Sequence, residues 1–435
     1  MNRSPAERAA GIAAAIPGGG LFHEKSWRIS PDPLPLDPHL QKRLEKLGRQ
    51  LADFVTACAQ LYRMSADERQ PPWIADLLDR GKPDSLIALQ RGKPLANEIP
   101  RVIRPDLVLT DSGFAIAELD SVPGGIGLTA WLGETYAHAG AGVLGGATGM
   151  LDGFASIFPA GDIAVSEEAS TYRPEMEWLA GRLNARGGGP WRVVDTSRRN
   201  DWSQRIYRFF ELFDLPNIAC ADQLMMGVAG GTLSVTPPFK PALEEKLWFA
   251  LFWLRPLQSF WIRALGDKTY RALQEVIPYS WLLDPQPLPP HAALPGLEIH
   301  AWEEVAAFSQ KHRDLILKVS GFSENAWGSR GVVLGSDLPS TAWEAAIRKA
   351  LDSWTSSPHI LQRYHHPRLV SHTYWDPSEN TIRPMRGRVR LCPYYFLPNG
   401  KDVHFGGALA TICPDDKKLL HGMTDAILVP VCAQA

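Results

Sequence analysis

A chain of 435 residues with 45% hydrophobic and 21% charged residues is long enough for two or three domains with substantial cores, as in a globular protein. The formal net charge of -2 gives no basic field for nucleic acid or an anionic membrane surface, so neither is expected as a partner. The five cysteines contain no Cys-x-x-Cys pair, which argues against a disulfide framework or a zinc site and favours a reducing cytoplasm.

The first 70 residues predict a flexible start followed by one long helix. Residues 1 to about 20 are rich in Ala and Gly, and their apolar run is too short for a secretory signal and follows Glu7. Between residues 40 and 65, apolar side chains such as Leu44, Leu47 and Leu51 recur with helical spacing. We therefore expect 1–70 to be an N-terminal helical segment.

Residues 104–121, RPDLVLTDSGFAIAELDS, predict a β-hairpin. Both DLVLT and FAIAELD alternate between the two faces of a strand, and residues 111–113 suit a three-residue loop in which Gly113 takes a positive φ. This loop would pair Thr110 with Phe114 and so fix the register of the two strands.

The predicted hairpin places acidic side chains on one face. In this register Asp106 lies opposite Glu118, and Arg104 lies opposite Asp120. Carboxylates this close repel one another and raise a pKa unless a cation compensates. Mg²⁺ binds carboxylate oxygens and completes its shell with phosphate oxygens and water, so the face predicts a magnesium site. The alternative is that Arg104 pairs with these acids at a solvated strand end.

A glycine-rich turn and a helix follow, and we assign 71–155 to the magnesium-binding part of the protein. The segment PGGIG at 123–127 predicts either an anion-binding nest or a bare turn. The segment GAGVLG at 140–145 matches G-x-G-x-x-G, but a predicted helix instead of a strand precedes it. It therefore predicts a helix end and a turn.

From residue 161 the pattern becomes strand, helix, strand, which predicts a parallel βαβ unit and a Rossmann-like substrate domain at 156–260. Pro174 suits a first helical turn, and the glycines at 187–189 end the helix. LWFALFWL at 247–254 predicts a buried helix that is too short to span a bilayer. Candidate substrate contacts in this region are Arg173, Arg208 and Glu211, although IYRFFELFD also fits an amphipathic segment whose charges are solvated.

Residues 261–435 predict strands, a helix and a glycine-containing loop, after a proline-rich stretch at 284–296 that resembles a linker between subdomains. Lys318 ends an apolar strand, a Gly/Ser/Asn loop follows, and Arg330 precedes the next strand. Such a loop suits polyphosphate, because backbone N–H groups and both cations can face its oxygens, and it fits a surface hairpin equally well. Gln362 lies in an apolar strand, where its amide binds either an adenine edge or backbone groups.

Together these motifs resemble the circularly permuted ATP-grasp superfamily, in particular the synthetase domain of glutathionylspermidine synthases. Arg104-Pro105-Asp106 and Glu118-Leu119-Asp120 fall at the spacing of that family's Arg-x-Asp and Glu-x-Asn motifs. Lys268 resembles a lysine before a P…LL segment, and Lys318 resembles one before a Gly-Arg-x-Gly loop. The stretch VRLCPYYF…GGALATI, which contains Arg390, is similar to LRPF…GGL of the permuted families.

The resemblance implies an α+β protein with a circularly permuted ATP-grasp fold and a Rossmann-like α/β substrate domain. Residues 261–435 would then form the lysine and lid subdomains and the remaining sheet. It also implies ATP and Mg²⁺ as cofactors. The implied magnesium ligands are Asp106, Glu118 and Asp120; the implied nucleotide contacts are Lys268, Lys318, Ser329, Gly331 and Gln362; and the implied catalytic cations are Arg104, Arg330 and Arg390.

The implied activity is that of an ATP-dependent carboxylate–amine ligase, which joins a small-molecule or peptide acid to an amine through an acyl phosphate. The alternatives are an ATP-dependent phosphotransferase and a non-catalytic nucleotide-binding protein. The sequence departs from the family in three ways. Asp120 replaces the usual Asn, Asp425 stands where the family carries an arginine, and no amidase domain or catalytic cysteine motif is visible.

Overall fold

The computed structural model describes residues 3–23, 26–197, 201–289, 292–326, 330–400, 402–418, 420 and 423–434. The helices are α1 (Pro5–Ala14), α2 (Gly20–His23), α3 (Pro38–Ala66), α4 (Trp73–Asp79), α5 (Asp84–Arg91), α6 (Ile126–His138), α7 (Gly149–Ile157), α8 (Arg173–Ala185), α9 (Ala221–Ala229), α10 (Leu247–Trp253), α11 (Gln258–Leu265), α12 (Asp267–Gln274), α13 (Trp302–Ala306) and α14 (Ser340–Asp352). The strands are β1 (Leu34–Leu36), β2 (Val102–Thr110), β3 (Gly113–Asp120), β4 (Gly161–Val165), β5 (Trp191–Asp195), β6 (Arg205–Phe209), β7 (Ser234–Thr236), β8 (Ser280–Leu282), β9 (Leu315–Val319), β10 (Val332–Leu334), β11 (His359–Arg363), β12 (Leu369–Asp376), β13 (Thr381–Phe396), β14 (His404–Pro414) and β15 (Ile427–Ala433).

The chain divides into two compact units, neither of which is continuous in sequence. The first unit contains Met1–Val55, Gly92–Phe239 and Pro367–Ala435, and the second contains Thr56–Arg91 and Lys240–His366. The four consecutive segments expected from the sequence stay a prediction.

Two β-sheets form the first unit. Seven strands form one sheet. Six of them follow the order β1-β15-β14-β13-β2-β3, and β12 also pairs with β13. The strand β1 is parallel to β15, and all other neighbours in this sheet are antiparallel. The second sheet, in the order β5-β4-β6-β7, is parallel throughout. The predicted βαβ unit is therefore present, with α8 between β4 and β5, whereas the Rossmann-like assignment of the whole region stays a prediction.

Three helices join these two sheets. α7 packs on β13 and β14, α6 packs on β14 and β15, and α8 packs on α6 and on β5. α8 has Pro174 in its first turn and is followed by Gly187 at φ 76°, as its sequence predicted. The helices α6 and α8 approach closely at Gly127, where an added Cβ would lie 2.1 Å from the carbonyl oxygen of Glu175.

The long N-terminal helix α3 buries the apolar stripe that predicted it. Leu44, Leu47 and Leu51 are each buried. Tyr395 of β13 packs against this helix and donates its hydroxyl to the carbonyl oxygen of Leu44 at 2.6 Å. The tyrosine ring occupies the space beside Gly48, because a Cβ added there would lie 2.3 Å from its Cδ1.

This packing reverses the usual effect of replacing a helical glycine. We expect Gly48→Ala to destabilise the protein by about 1–3 kcal/mol, because the added methyl group overlaps the fixed tyrosine ring. In contrast, Gly181→Ala in α8 is expected to stabilise by about 0.5–1 kcal/mol, because alanine loses less backbone entropy in a helix and nothing lies within 4 Å of the added Cβ. Urea unfolding of the two variants tests the contrast, and equal effects would contradict the packing described for Gly48.

The second unit contains one antiparallel sheet in the order β10-β9-β11-β8. Its apolar core lies between this sheet and the helices α13 and α14. Trp343 of α14 is fully buried there and donates its indole N–H to the carbonyl oxygen of Val305 at 2.8 Å. The buried helix predicted from LWFALFWL is confirmed as α10. The proline-rich stretch 284–296 contains no helix or strand among its described residues, and both of its flanks belong to this unit.

None of the helices in the described ranges combines the length and the apolar character that crossing a membrane requires.

Candidate active site

The acidic hairpin forms with the predicted cross-strand pairs. Arg104 of β2 pairs with Asp120 of β3, and Asp106 pairs with Glu118. Because paired residues project to the same side of a sheet, these four side chains share one face of the seven-stranded sheet. The structure therefore brings the three predicted magnesium ligands and the first predicted catalytic arginine together.

The turn of this hairpin differs from the prediction. Thr110 pairs with Gly113 and not with Phe114, so the loop contains two residues instead of three. Gly113 adopts φ 140°, the positive value expected for it. The shorter turn shifts the register by one residue, and a bulge at Ala117 shifts it back. Because the two shifts cancel, a wrong prediction of the turn still gave the right acidic pairs. A β-bulge has no pattern of its own in the sequence, so the sequence showed neither shift.

Arg104 lies at the centre of the acidic face. Its Nε donates to Asp106 Oδ1 at 3.1 Å, and its Nη2 forms ion pairs with Asp106 at 3.1 Å and with Asp120. Its Nη1 donates to the carbonyl oxygen of Gly124 at 2.8 Å. These contacts are the ion pairs of the alternative interpretation, but they are not solvated: the side chains of Arg104 and Asp106 are only 13% and 5% exposed.

Strand β13 brings a second arginine and a thiol to the same carboxylate. Arg390 Nη1 donates to Asp106 Oδ2 at 3.2 Å, and the Cys392 thiol donates to Asp106 Oδ1 at 3.3 Å. Burial alone would raise the pKa of Asp106, but the charges of Arg104 and Arg390 outweigh burial and hold that pKa below its usual value. Asp106 is therefore an anion that the surrounding donors stabilise.

The pKa of Asp120 is shifted in the opposite direction to that of Asp106. Burial raises its pKa, Arg104 lowers it, and the negative charges of Asp106 and Glu118 raise it again, so the net pKa lies above the usual value. The backbone N–H of Val122 donates to Asp120 Oδ1 at 3.0 Å. A further cation at this face would therefore stabilise the Asp120 anion.

The acidic face has the chemistry of a magnesium site without a preformed metal geometry. The three side chains offer oxygen ligands, which Mg²⁺ prefers, and the raised pKa of Asp120 indicates negative charge that a cation would compensate. Among the described residues, no group of three or more His, Cys, Asp and Glu side chains is arranged to hold a metal ion. Arg104 contacts Asp106 and Asp120 in the present arrangement. The residues fit magnesium in donor type, and their role as ligands stays a prediction.

The glycine turn after the hairpin binds a buried carboxyl group, that of Glu175. Of the two interpretations of PGGIG, the nest is closer to the structure, because the Glu175 carboxylate of α8 accepts the N–H groups of Gly125 at 2.7 Å and Leu128 at 2.9 Å. Glu175 is fully buried, and burial raises its pKa from 4.5 to about 7 against the lowering effect of these hydrogen bonds. The neighbouring carbonyl of Gly124 accepts the Tyr394 hydroxyl at 2.6 Å in addition to Arg104. The turn therefore links Glu175 to the acidic face.

The candidate substrate contacts of the parallel sheet divide into two types. Arg208 is fully buried and donates to the carbonyl oxygens of Pro237, at 3.1 Å, and Phe210. The expectation of a solvated charge is therefore wrong for Arg208, which supports the backbone after β6 and β7. Glu211, in contrast, accepts the Ser121 hydroxyl at 2.9 Å and 2.8 Å, immediately after the end of β3.

In the second unit the structure brings Lys318 and Gln362 together. Lys318 Nζ donates to Gln362 Oε1 at 2.8 Å, and Gln362 Nε2 donates to the hydroxyl of Ser280 at 3.0 Å. Both side chains are buried. Both the oxygen and the nitrogen of the Gln362 amide therefore bind side chains. The sequence predicts that this amide binds adenine or backbone groups instead.

The other predicted nucleotide contacts are less enclosed. Lys268 is exposed in the first turn of α12, and Arg330 is exposed in the turn that precedes β10. Gly331 has a structural reason to be glycine, because a Cβ there would lie 2.4 Å from Val319 Cγ1 and 2.6 Å from the carbonyl oxygen of Asn325. Ser329 lies outside the described residues.

Sequence reasoning missed Cys392, Tyr394 and Glu175. The first two alternate with Arg390 along β13, so the period of two along a strand would have placed them beside that arginine. Glu175 follows Pro174 in the first turn of α8, but no local pattern indicates that its carboxylate binds another helix. Cys392 is not a nucleophile here, since burial and the Asp106 charge raise its pKa to about 12.

Comparison with known proteins identifies the type of fold. No protein-family model and no curated protein sequence matches the chain. The chain is similar to a glutathione synthetase-like effector, GSS30, from Globodera pallida in its apo form, with a TM-score of 0.56 and 11% identity over 99% of this chain and 98% of that one. It is also similar to a protein assigned as a gamma-glutamylcysteine synthetase from Methylobacillus flagellatus, with a TM-score of 0.39 and 13% identity over 90% and 88% of the two chains. The second likeness is too low to support a conclusion.

The first likeness shows that this chain shares the mixed α+β fold of that effector. At 11% identity it shows the fold alone. The circular permutation and the relation to glutathionylspermidine synthases stay predictions from the sequence motifs.

Proposed function

We propose that the chain is an ATP-dependent carboxylate–amine ligase acting on a small-molecule or peptide acid. One observation carries this proposal. The face formed by β2, β3 and β13 collects three carboxylates, of Asp106, Glu118 and Asp120, against two guanidinium groups, of Arg104 and Arg390. Such a face attracts a divalent cation and its phosphate ligands, and the glutathione synthetase-like fold of the chain agrees with this chemistry.

Each unit contains its own candidate groups. In the first unit, the three carboxylates would hold Mg²⁺, while Arg104 and Arg390 would stabilise negative charge on transferring oxygens. In the second unit, Lys318 would bind phosphate, and Gln362 would orient its ammonium group through the 2.8 Å hydrogen bond. Lys268, Arg330 and the backbone at Gly331 are the further phosphate contacts in the proposal.

The acid and the amine would bind at the edge of the parallel sheet. In the order β5-β4-β6-β7, the chain leaves β4 towards one side of the sheet and β6 towards the other, and in open α/β sheets ligands bind in the crevice at the carboxyl ends of two such strands. Glu211 lies at this edge and contacts Ser121, which follows the metal-ligand candidate Asp120. A substrate in this crevice would therefore lie beside the acidic face within one unit.

The proposed reaction has two balanced steps. The substrate carboxylate forms a bond to the γ-phosphorus of ATP and ADP leaves, which gives an acyl phosphate. The amine then forms the amide bond, phosphate leaves, and the amine gives up a proton. The protein contributes positioning and charge stabilisation to both steps, so the site needs no covalent nucleophile.

A non-catalytic nucleotide-binding protein is the second candidate, and one observation favours it. Arg104 already contacts Asp106 and Asp120, as in a purely structural ion-pair network. ADP release in the presence of pooled amino acids, short peptides and polyamines separates the candidates. Release that requires an amine acceptor supports the ligase, whereas nucleotide binding without release supports the second candidate.

Two substitutions test the site itself. We expect Glu118→Gln and Lys318→Met to keep the fold and to weaken Mg-ATP binding by about tenfold or more, because each removes a charge that faces the ligand. Isothermal titration calorimetry with and without Mg²⁺ provides the measurement. Glu344→Gln, which breaks the exposed pair of Glu344 with Arg348 in α14, is the matched control. Unchanged affinity in Glu118→Gln would remove the metal assignment.

A further inference from the structure

The loop after Lys318 is held at its base by two consecutive residues. Glu245 Oε2 accepts the backbone N–H of Gly321 at 2.7 Å and the hydroxyl of Ser320. The next residue, Lys246, donates its Nζ to the carbonyl oxygen of Ala326 at 3.0 Å. Glu245 and Lys246 thus hold the start and the middle of the Gly/Ser/Asn loop that follows Lys318.

The carboxylate of Glu245 is itself bound by a lysine that is far away in the sequence. Lys82 Nζ forms an ion pair with Glu245 Oε1, and each side chain is only 2% exposed. Removing two charges from water is costly, so a buried ion pair contributes little net stability compared with apolar packing. Such a pair does fix the positions of both side chains. If either partner moved away, the other would remain as an unpaired buried charge, which is strongly destabilising.

Backbone geometry shows that the first residues of the loop, Gly321 and Phe322, are tightly constrained against this pair. A Cβ added to Gly321 would lie 2.6 Å from the carbonyl oxygen of Glu244 and 3.0 Å from Glu245 Cδ. Phe322 adopts φ 49°, a left-handed conformation that is rare for a bulky side chain, and its ring centroid lies 5.7 Å from Lys82 Nζ. Residues persist in such conformations only when their surroundings impose them, and these residues concentrate at ligand-binding segments.

We propose that Lys82, Glu245 and Lys246 form a clamp that positions the loop after Lys318 for binding an oxyanion, and in particular the phosphates of a nucleotide. The inference rests on the proposed function for its ligand, and on the contacts above for its geometry. The three residues are positioning residues: they act through the backbone of the loop. A loop fixed before the ligand arrives loses less conformational freedom on binding, so the clamp raises affinity without a contact of its own.

The first measurement follows the loop without any ligand. Hydrogen exchange read by mass spectrometry reports on residues 320–326, and we expect exchange about tenfold faster in Glu245→Gln, since a charged acceptor is lost from Gly321 N–H and Ser320. Lys246→Met is expected to accelerate exchange near Ala326 alone, because only that contact is removed. Protection in α14 should stay unchanged in both variants. Unchanged protection of the loop in both would overturn the clamp.

The second measurement is the affinity for Mg-ATP in variants whose circular dichroism matches the wild type. We expect Glu245→Gln and Lys82→Met to bind about tenfold more weakly, because the loop must then be ordered by the ligand. Lys82→Arg, which keeps the charge, is expected to restore part of this affinity. Ile347→Ala, which removes part of the fully buried apolar core of the same unit, controls for a general loss of stability.

The outcomes separate the two proposals. If the wild type binds Mg-ATP and the clamp variants bind it equally well despite faster exchange, the clamp does not position a ligand and this inference fails. If Ile347→Ala weakens binding as much as the clamp variants do, the effect is general destabilisation and the inference also fails. If the wild type binds no nucleotide, the proposed function fails, while hydrogen exchange still decides whether the clamp fixes the loop. Should Glu245→Gln not fold, Lys246→Met, which leaves the buried pair intact, provides both measurements.

Discussion

Replacing Asp106 with asparagine is expected to lower the free energy of unfolding by about 3–5 kcal/mol, the usual effect of removing one partner from a buried ion pair. The asparagine keeps the shape of the side chain but removes the anion that Arg104 and Arg390 share. Those two buried guanidinium groups would then face each other with less compensating charge. Chemical denaturation followed by circular dichroism measures the loss.

The matched substitution is Asp120→Asn, two cross-strand pairs further along the same hairpin and on the same face. Burial and the charges of Asp106 and Glu118 raise the pKa of Asp120, so an uncharged side chain fits this position better than it fits position 106. We expect Asp120→Asn to leave stability unchanged or to increase it slightly. If both variants lost the same stability, the electrostatic difference between the two carboxylates described here would be wrong.

The second large effect is a dependence of stability on pH through Glu175. Burial raises its pKa from 4.5 to about 7 in the folded protein. Because the folded pKa is the higher one, the folded protein binds the proton more tightly than the unfolded chain does. The contribution of Glu175 to stability is therefore complete below about pH 4.5 and is lost as the pH rises towards 7. Its full size is about 3 kcal/mol.

Comparing Glu175→Gln with the wild type between pH 4.5 and 7.5 isolates this contribution. Glutamine does not ionise, so the variant should lack the part of the pH dependence that Glu175 causes. The charged and titratable groups that face Glu175 are Arg104, Tyr394 and Tyr172, none of which titrates in this range. Glu177→Gln, at an exposed position of the same helix, is the control. Identical pH profiles for the wild type and Glu175→Gln would contradict the assignment.

Local patterns in the sequence predicted local structure well. The stripe on α3, the strands of the acidic hairpin and the βαβ unit each follow from residue spacing, because burial of one face imposes a period that is visible along the chain. The pairing of Asp106 with Glu118 was also correct, but only because the bulge at Ala117 offset an error in the turn. A bulge depends on neighbouring strands more than on its own sequence, so spacing alone does not reveal it.

Contacts between distant parts of the chain could not be predicted in this way. Lys82 and Glu245 are 163 positions apart, and nothing near either residue indicates a buried charge partner. The partner of the glycine turn, Glu175, lies 50 positions from Gly125. In both cases the side chain is buried only because the fold supplies the opposite group, which is a property of three-dimensional packing and not of sequence period.

The pairing of β1 with β15 has a consequence for synthesis on the ribosome. Leu34 is opposite Val431, so the edge of the seven-stranded sheet joins residues from nearly opposite ends of the chain. At typical elongation rates of about 5–20 residues per second, β1 is synthesised tens of seconds before its partner strand β15. The second unit, whose segments end at His366, emerges earlier. It can therefore fold while the first unit still lacks the strands that complete its sheet, so the unfinished sheet is the part of the nascent chain most in need of protection from aggregation.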